Sequence, residues 1–128
     1  MAKTEQFTIA VQNEPGVVAG IARTLGDAKV NILALLGTDE GTTGTVQLVV
    51  EDAEQARKAL QGAKIPYQET TAEKLEVPNQ PGALAEYLDA LADKGVSLNS
   101  IYAAAPKGGE TATVVYTVVA EARTAAGR

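Results

Sequence analysis

The sequence predicts an α+β protein made of two tandem ferredoxin-like modules, each an antiparallel sheet with helices on one face and the order β-α-β-β-α-β. Two observations support this fold class. The chain repeats itself at an offset of 66 residues, and each copy alternates β-prone runs with helical apolar stripes. We place the first module at residues 1–70 and the second, which lacks its last strand, at residues 71–128.

The repeat is clearest at one turn of the chain. Val11–Gly16, with the sequence Val-Gln-Asn-Glu-Pro-Gly, matches Val77–Gly82, with the sequence Val-Pro-Asn-Gln-Pro-Gly. The match continues without a gap: Leu25 meets Leu91, Val30 meets Val96, Thr45 meets Thr111 and Val49 meets Val115. Such a match indicates duplication of one module.

The first copy has a sequence signal for every element. Phe7, Ile9 and Val11 alternate with polar residues, as in a half-buried strand, and Pro15 suits the first turn of a helix. The later elements are a strand over Val30–Leu36, a glycine-rich hairpin over Gly37–Gly44, a strand over Thr45–Glu51, a helix from Asp52 to Leu60 that begins with the capping-box pair Asp52 and Gln55, and a strand over Ile65–Gln68.

The second copy repeats this order but is shorter. Its predicted elements are a strand around Leu75 and Val77, a helix that Gly95 ends, a strand over Val96–Tyr102, a loop over Pro106–Gly109 and a strand over Thr111–Ala120. Residues 121–128 supply only a short helix, and none remain for a fourth strand. We therefore expect an open edge beside residues 74–77, covered by a partner chain or blunted by Lys74, Glu76 and Pro78. A truncated chain is the further alternative.

The composition excludes several classes of partner and of chemistry. The formal net charge is −5 without a basic cluster, which disfavours nucleic acid and anionic membranes as partners. Because Cys and His are absent, thiolate nucleophiles, disulfides and imidazole ligands are excluded. No apolar run is long enough to span a membrane, and no signal region begins the chain, so a cytoplasmic protein is expected. We expect no metal, no cofactor and no catalytic residue.

The pattern strand, Asn-x-Pro-Gly, helix, Val30-Asn31-Ile32, strand resembles the ACT domain, a regulatory module that binds small molecules. The resemblance covers residues 6–68 well and residues 72–120 in part, and two such modules are similar to the stand-alone tandem ACT proteins. It implies a non-enzymatic sensor of a free amino acid, and the open edge expected on the second module favours a homodimer. The alternative is a ligand-free dimerisation or adaptor module that regulates a separate enzyme or transporter.

The resemblance also places the ligand at the loop between the first strand and the first helix, near a partner module. The family's loop Asn matches Asn13 and Asn79, and its second polar position matches Asn31 and Ser97. Some members carry a His where Val11 and Val77 stand here. The predicted ligand-binding residues are Asn13, Glu14, Pro15, Gly16, Val17, Val18, Asn31, Ile32, Asn79, Gln80, Pro81, Gly82, Ala83, Leu84, Ser97 and Leu98.

These residue types fit a zwitterion. The start of a helix offers unpaired N–H groups to a carboxylate, and an Asn amide both donates and accepts. The first helix, about 20 Å long, separates Asn13 from Asn31, so one module cannot bring both to one ligand. We therefore predict unequal sites at module seams, with Asn79 and Asn31 forming the stronger and Asn13 and Ser97 the weaker. The apolar residues around the loops favour a small or aliphatic amino acid.

Several of these features also have a plainer interpretation. Asn before Pro-Gly commonly forms a turn for local reasons, and Asn31 suits an exposed strand position. The loop Gly37–Gly44 is interpreted as a flexible hairpin, and Asp39 with Glu40 as solvated charges. An acylphosphatase-like enzyme would need an Arg in the first loop, which has none. RNA binding through the sheet would need exposed aromatic residues on the central strands, and it is disfavoured because Phe7 is the only Phe and the chain is acidic.

Overall fold

The computed structural model describes residues 2–119, so the short helix expected over residues 121–128 lies outside the described part. The chain divides into two compact units. The first is Glu5–Thr71, and the second contains residues 72–119 together with residues 2–4.

The first unit has the predicted β-α-β-β-α-β order. Its elements are β1 (Ala2–Gln12), α1 (Val17–Asp27), β2 (Ile32–Asp39), β3 (Thr43–Val50), α2 (Ala53–Gly62) and the first four residues of β4 (Gln68–Pro78). β3 pairs antiparallel with β1 on one side and with β2 on the other. In this register Phe7 of β1 and Leu35 of β2 both lie opposite Leu48 of β3.

The second unit contains the rest of β4, α3 (Ala83–Asp93), β5 (Leu98–Ala104) and β6 (Thr111–Val118). β6 pairs antiparallel with both β4 and β5. In the described residues this unit has no fourth strand of its own, as predicted. Residues 2–4 of the chain belong to it instead, and Lys3 Nζ lies 2.7 Å from Glu73 Oε2 of β4.

Each unit has its own apolar core. In the first, Phe7, Ile9, Val46 and Leu48 of the strands are buried together with the helix residues Ile21, Leu25, Ala56 and Leu60. In the second, the buried cluster is Leu75, Val77, Leu91, Val114 and Tyr116. The helices bury the stripes that their apolar spacing predicted, and they hold the strand ends and loops in place.

The three helices end in the same way. After each helix, one residue donates its N–H to the carbonyl of a buried leucine five positions earlier. The pairs are Val30 to Leu25, Ile65 to Leu60 and Val96 to Leu91, at 2.9–3.0 Å. This is a Schellman motif, which needs one residue in the left-handed conformation. Gly95, the predicted helix stop, has that conformation in α3 (φ 75°), but Lys29 (φ 64°) and Lys64 (φ 60°) hold it in α1 and α2.

The predicted boundaries need two corrections. Of the strand expected at Ile65–Gln68 only Gln68 is in a strand, and it begins β4, which runs on without a break through the strand expected around Leu75. The ungapped repeat also fails after the second strand. Leu35 lies opposite Leu48 and Ile101 opposite Tyr116, so β2 and β5 are related by 66 residues but β3 and β6 by 68. The hairpin of the second unit is therefore two residues longer than that of the first.

None of the helices in residues 2–119 has the length and apolar character needed to cross a membrane.

Candidate functional site

Both Asn-x-Pro-Gly loops end in a glycine that no other residue replaces without strain. Gly16 and Gly82 precede the first residues of α1 and α3, with φ values of 90° and 87°. These values lie in the left-handed region, which side chains beyond glycine rarely adopt. Each loop thus turns sharply and passes directly into a helix.

The first turns of α1 and α3 keep unpaired N–H groups. Val17 N donates weakly to Glu14 O at 3.3 Å and Gly20 N donates to Gly16 O, but the N–H groups of Val18 and Ala19 meet no acceptor among residues 2–119. In α3 the N–H groups of Leu84 and Ala85 likewise meet no acceptor among the described residues. Neither helix has a side-chain cap. Both helix starts can therefore donate hydrogen bonds to an anionic group.

α2 differs from the other helices in this respect. Asp52 Oδ1 accepts the N–H of Gln55 at 3.1 Å, which is the Asp52 half of the predicted capping box. The carboxylate of this chain's own Asp52 thus occupies the place that an external anion could take at α1 and α3.

Asn13 ties the first loop to the neighbouring β2–β3 hairpin. Its Nδ2 donates to Asp39 Oδ1 at 2.8 Å and to Gly41 O at 3.0 Å, and its backbone N–H donates to Thr42 O at 2.9 Å. Asp39 Oδ1 also accepts the N–H of Gly41 at 2.9 Å. The turn chemistry considered for Asn13 is therefore present, and it leaves the amide oxygen without a donor among the described residues.

Asn79 makes a similar but uncharged connection in the second unit. Its Nδ2 donates to Gly109 O at 2.8 Å, and its backbone N–H donates to Glu110 O at 2.9 Å. No carboxylate accepts from this amide in the described residues, because Ala105 stands where Asp39 stands in the first copy. The two loops share a shape but differ in charge.

Asp39 is a site residue that the sequence reasoning missed. It was interpreted as a solvated loop charge, yet its carboxylate organises both the hairpin turn and the Asn13 amide. The signal that would have found it is Asp followed two residues later by Gly, a common Asx-turn pattern.

A hollow of about 280 Å³ lies between the first loop and the hairpin. Val11 and Val46 give it an apolar part, and Asn13, Glu14 and Asp39 give it a polar part. Val18, which is 39% exposed, also lines it. Three predicted residues, Asn13, Glu14 and Val18, thus surround one space.

In each unit the second set of predicted residues lies at the opposite end of the strands from the loop Asn. Asn31 O accepts the N–H of Glu51 just beyond the end of β3, whereas Asn13 lies beside Thr42 just before β3 begins. Eight residues of strand separate these points by about 27 Å. Ser97 is placed in the same way, since its carbonyl accepts the N–H of Val119 after β6. Within one unit the two sets do not meet.

Comparison with known families places this fold and these loops in a defined class of protein. A family model described as an ACT domain pair matches residues 2–125. The chain therefore belongs to the ACT domain pair family, and the recognition made from the Asn-x-Pro-Gly repeat is confirmed. No curated protein matches the sequence.

Solved structures share the fold. Protein BT0572 from Bacteroides thetaiotaomicron superposes with a TM-score of 0.84 at 26% identity, over 94% of this chain and 83% of that one. The regulatory subunit of aspartate kinase from Thermus thermophilus, in its ligand-free form, gives a TM-score of 0.69 at 16% identity, over 91% of this chain and 83% of that one. The regulatory subunit of aspartate kinase from Thermus flavus gives 0.64 at 17% identity, over 89% and 82%. The aspartate kinase likenesses bear on the fold alone.

Proposed function

We propose that this protein is a non-catalytic regulatory protein that binds a free amino acid at its Asn-x-Pro-Gly loops. The observation behind the proposal is that, in each unit, a short loop joins an Asn amide, whose oxygen has no donor among the described residues, to a helix start with unpaired N–H groups. These two features suit the two charges of an amino acid, the carboxylate and the ammonium. Membership of the ACT domain pair family supports a regulatory role.

In the proposed complex the carboxylate accepts from the N–H groups of Val18 and Ala19, or from those of Leu84 and Ala85. The ammonium donates to the Asn amide oxygen. A hydrogen bond to a charged group contributes about 1.5–3 kcal/mol, so a few of them support micromolar binding, about −8 kcal/mol. Val17, Val18, Ala83 and Leu84 favour a small or aliphatic side chain.

We propose that Asn31 and Ser97 each contact a ligand that is bound at the loop of another module, not at the loop of their own module. Each unit keeps its own loop Asn about 27 Å from these residues, so no amino acid spans both. We propose that Asn79 acts with Asn31 and Asn13 with Ser97, the second module coming from this chain or from a second copy in a homodimer.

The test is a thermal-melt screen of the purified protein against each proteinogenic amino acid at millimolar concentration. A ligand at about 100 times its Kd adds about 2.7 kcal/mol, which raises Tm by about 5–15 °C for a chain of this size. The matched control is the double variant Asn13→Ala, Asn79→Ala, which should lose the response. If no amino acid raises Tm, the sensor proposal is wrong, and the ligand-free adaptor becomes the function to test by capturing a partner enzyme or transporter.

A further inference from the structure

A second and larger hollow lies on the other side of the first loop. Its volume is about 530 Å³, and it lies between α1 and the turn that follows α2, entirely within the first unit. We call it the α1 groove. Val17 and Ile21 of α1, Val11 of β1 and Ile65 of the turn give it apolar surface. Its volume lies within the range of about 300–1,000 Å³ that is typical of small-molecule sites.

Gly20 opens this groove. It lies in the middle of α1, where glycine costs about 0.5–1 kcal/mol relative to alanine. A Cβ built on Gly20 meets no atom within 4 Å, so packing does not require a glycine. Gly20 lines the groove, and a larger side chain there would occupy its space.

One cation lies at the groove. Lys64 lines it and forms no ion pair with the described residues. Its backbone is held at φ 60° by the Schellman motif of α2, with its N–H bonded to Gln61 O at 3.0 Å, so the point from which its side chain extends is fixed. Thr24 adds a hydroxyl, which donates to Gly20 O at 2.9 Å, and Glu14 adds a carboxylate near the loop.

The second copy differs from the first at the position of Gly20. The residue that corresponds to Gly20 is Glu86, an exposed charged residue of α3. The glycine that leaves this space open on α1 is therefore present in the first copy and not in the second.

From these observations we infer that the α1 groove binds a small aliphatic carboxylate. The apolar chain lies on Val17, Ile21 and Ile65, and the carboxylate pairs with Lys64. The charge of Lys64 selects the anion, and Glu14 keeps the carboxylate away from the loop end of the groove. This site shares Glu14, Gly16 and Val17 with the first loop, but it is centred on α1 and the turn after α2, and it does not rest on the proposed function.

The experiment is a titration of ¹⁵N-labelled full-length protein with 4-methylpentanoate, followed by amide NMR. A parallel titration uses 4-methylpentan-1-ol, which has the same chain without the charge. At about 10 mM, a probe with a Kd of about 1 mM is near saturation. We expect saturable shifts at Gly20, Thr24, Lys64 and Ile65 with the acid, and at least tenfold weaker binding of the alcohol.

Variants make the assignment specific. Gly20→Leu fills the groove and should abolish binding, whereas Gly26→Ala, a change at another α1 glycine with open space around it, should leave binding unchanged. Lys64→Gly relieves the strain of the positive φ but removes the cation. In this variant the affinity for the acid should fall to the affinity for the alcohol. Thermal melts check that each variant folds. Shifts centred on residues 37–44 instead, no saturable shifts at all, or unchanged binding by Gly20→Leu would each overturn the inference.

Discussion

At the scale of single residues, Asn13 and Asn79 perform the same structural task with different electrostatics. Each amide ties its loop to a hairpin, but Asn13 donates to a carboxylate and Asn79 to a backbone carbonyl. A ligand carboxylate that approaches the first loop therefore meets Asp39 nearby, and one that approaches the second loop does not. This difference gives a physical reason to expect unequal sites.

We expect Asn79→Ala to weaken amino-acid binding at least tenfold, about 1.4 kcal/mol, and Asn13→Ala to weaken it less. Asn13→Ala should instead lower thermal stability more, because it removes two side-chain hydrogen bonds. Isothermal titration and thermal melts measure the two effects, with Asn99→Ala on an exposed position of β5 as the control. Equal losses of affinity from both Asn variants would contradict the asymmetry.

Lys29 offers a direct test of the helix endings. Its φ of 64° suits glycine, and Gly95 occupies the corresponding position in the second copy. Lys29→Gly should stabilise the protein by about 0.5–1 kcal/mol, a rise in Tm of about 2–5 °C. Gly95→Lys should have the opposite sign. A lower Tm for Lys29→Gly would mean that the lysine side chain contributes more than its backbone costs.

Two tyrosines predict how stability depends on alkaline pH. Burial raises the pKa of Tyr102 to about 12, and burial together with the hydrogen bond to Tyr87 raises the pKa of Tyr116 further. The folded state therefore keeps phenol protons that the unfolded state loses near pH 10. Stability is complete below about pH 10 and falls as pH rises towards 12. Denaturant melts across this window measure the slope, and Tyr116→Phe should reduce it; an unchanged slope in that variant would contradict this assignment.

At the scale of elements, the helices differ in whether a side chain caps their first N–H groups. α2 is capped by Asp52, whereas α1 and α3 begin at left-handed glycines with free N–H groups. Asp52→Ala should cost about 0.5–2 kcal/mol of stability and leave ligand binding unchanged. Gly82→Ala should strain the loop, because φ is 87°, and should lower both stability and affinity. Thermal melts with and without ligand separate the two cases, and a Gly82→Ala variant with full affinity would argue against the loop as the site.

The elements also explain where sequence reasoning succeeded and where it failed. Apolar spacing and the Pro-Gly turns located the helices and most strands correctly. The register of the last strand was misjudged by two residues. Strand side chains alternate with a period of two, so a shift of two residues in a run such as Thr111–Val118 preserves the apolar and polar pattern. Only the hydrogen-bonded partners distinguish the two alignments.

At the scale of the whole molecule, the candidate site was partly predictable. The loop residues and the opposite placement of Asn31 follow from the topology, which the sequence predicts. Asp39 and the α1 groove did not follow, because each depends on contacts between segments far apart in the chain, such as Asn13 with Asp39 or α1 with Lys64. Such contacts leave no periodic signal.

The two cores predict a difference in local stability. Among the described residues, the buried cluster of the first unit has ten members and that of the second has five. We expect amides of β5 and β6 to exchange with solvent faster than those of β2 and β3. Native-state hydrogen exchange by NMR measures this directly. Equal protection in the two pairs of strands would contradict it.

The hairpin of the second unit carries two more residues than that of the first, and the number matters because it is even. After an insertion of two, every later side chain returns to its original face of the sheet, whereas an insertion of one would turn the apolar residues of β6 towards the wrong face. Duplicated modules of this kind can therefore diverge in loop length by steps of two without rebuilding their interiors. The hairpin tip contacts the loop Asn in both units. Such changes in hairpin length therefore alter the surface beside the loop while the fold stays the same.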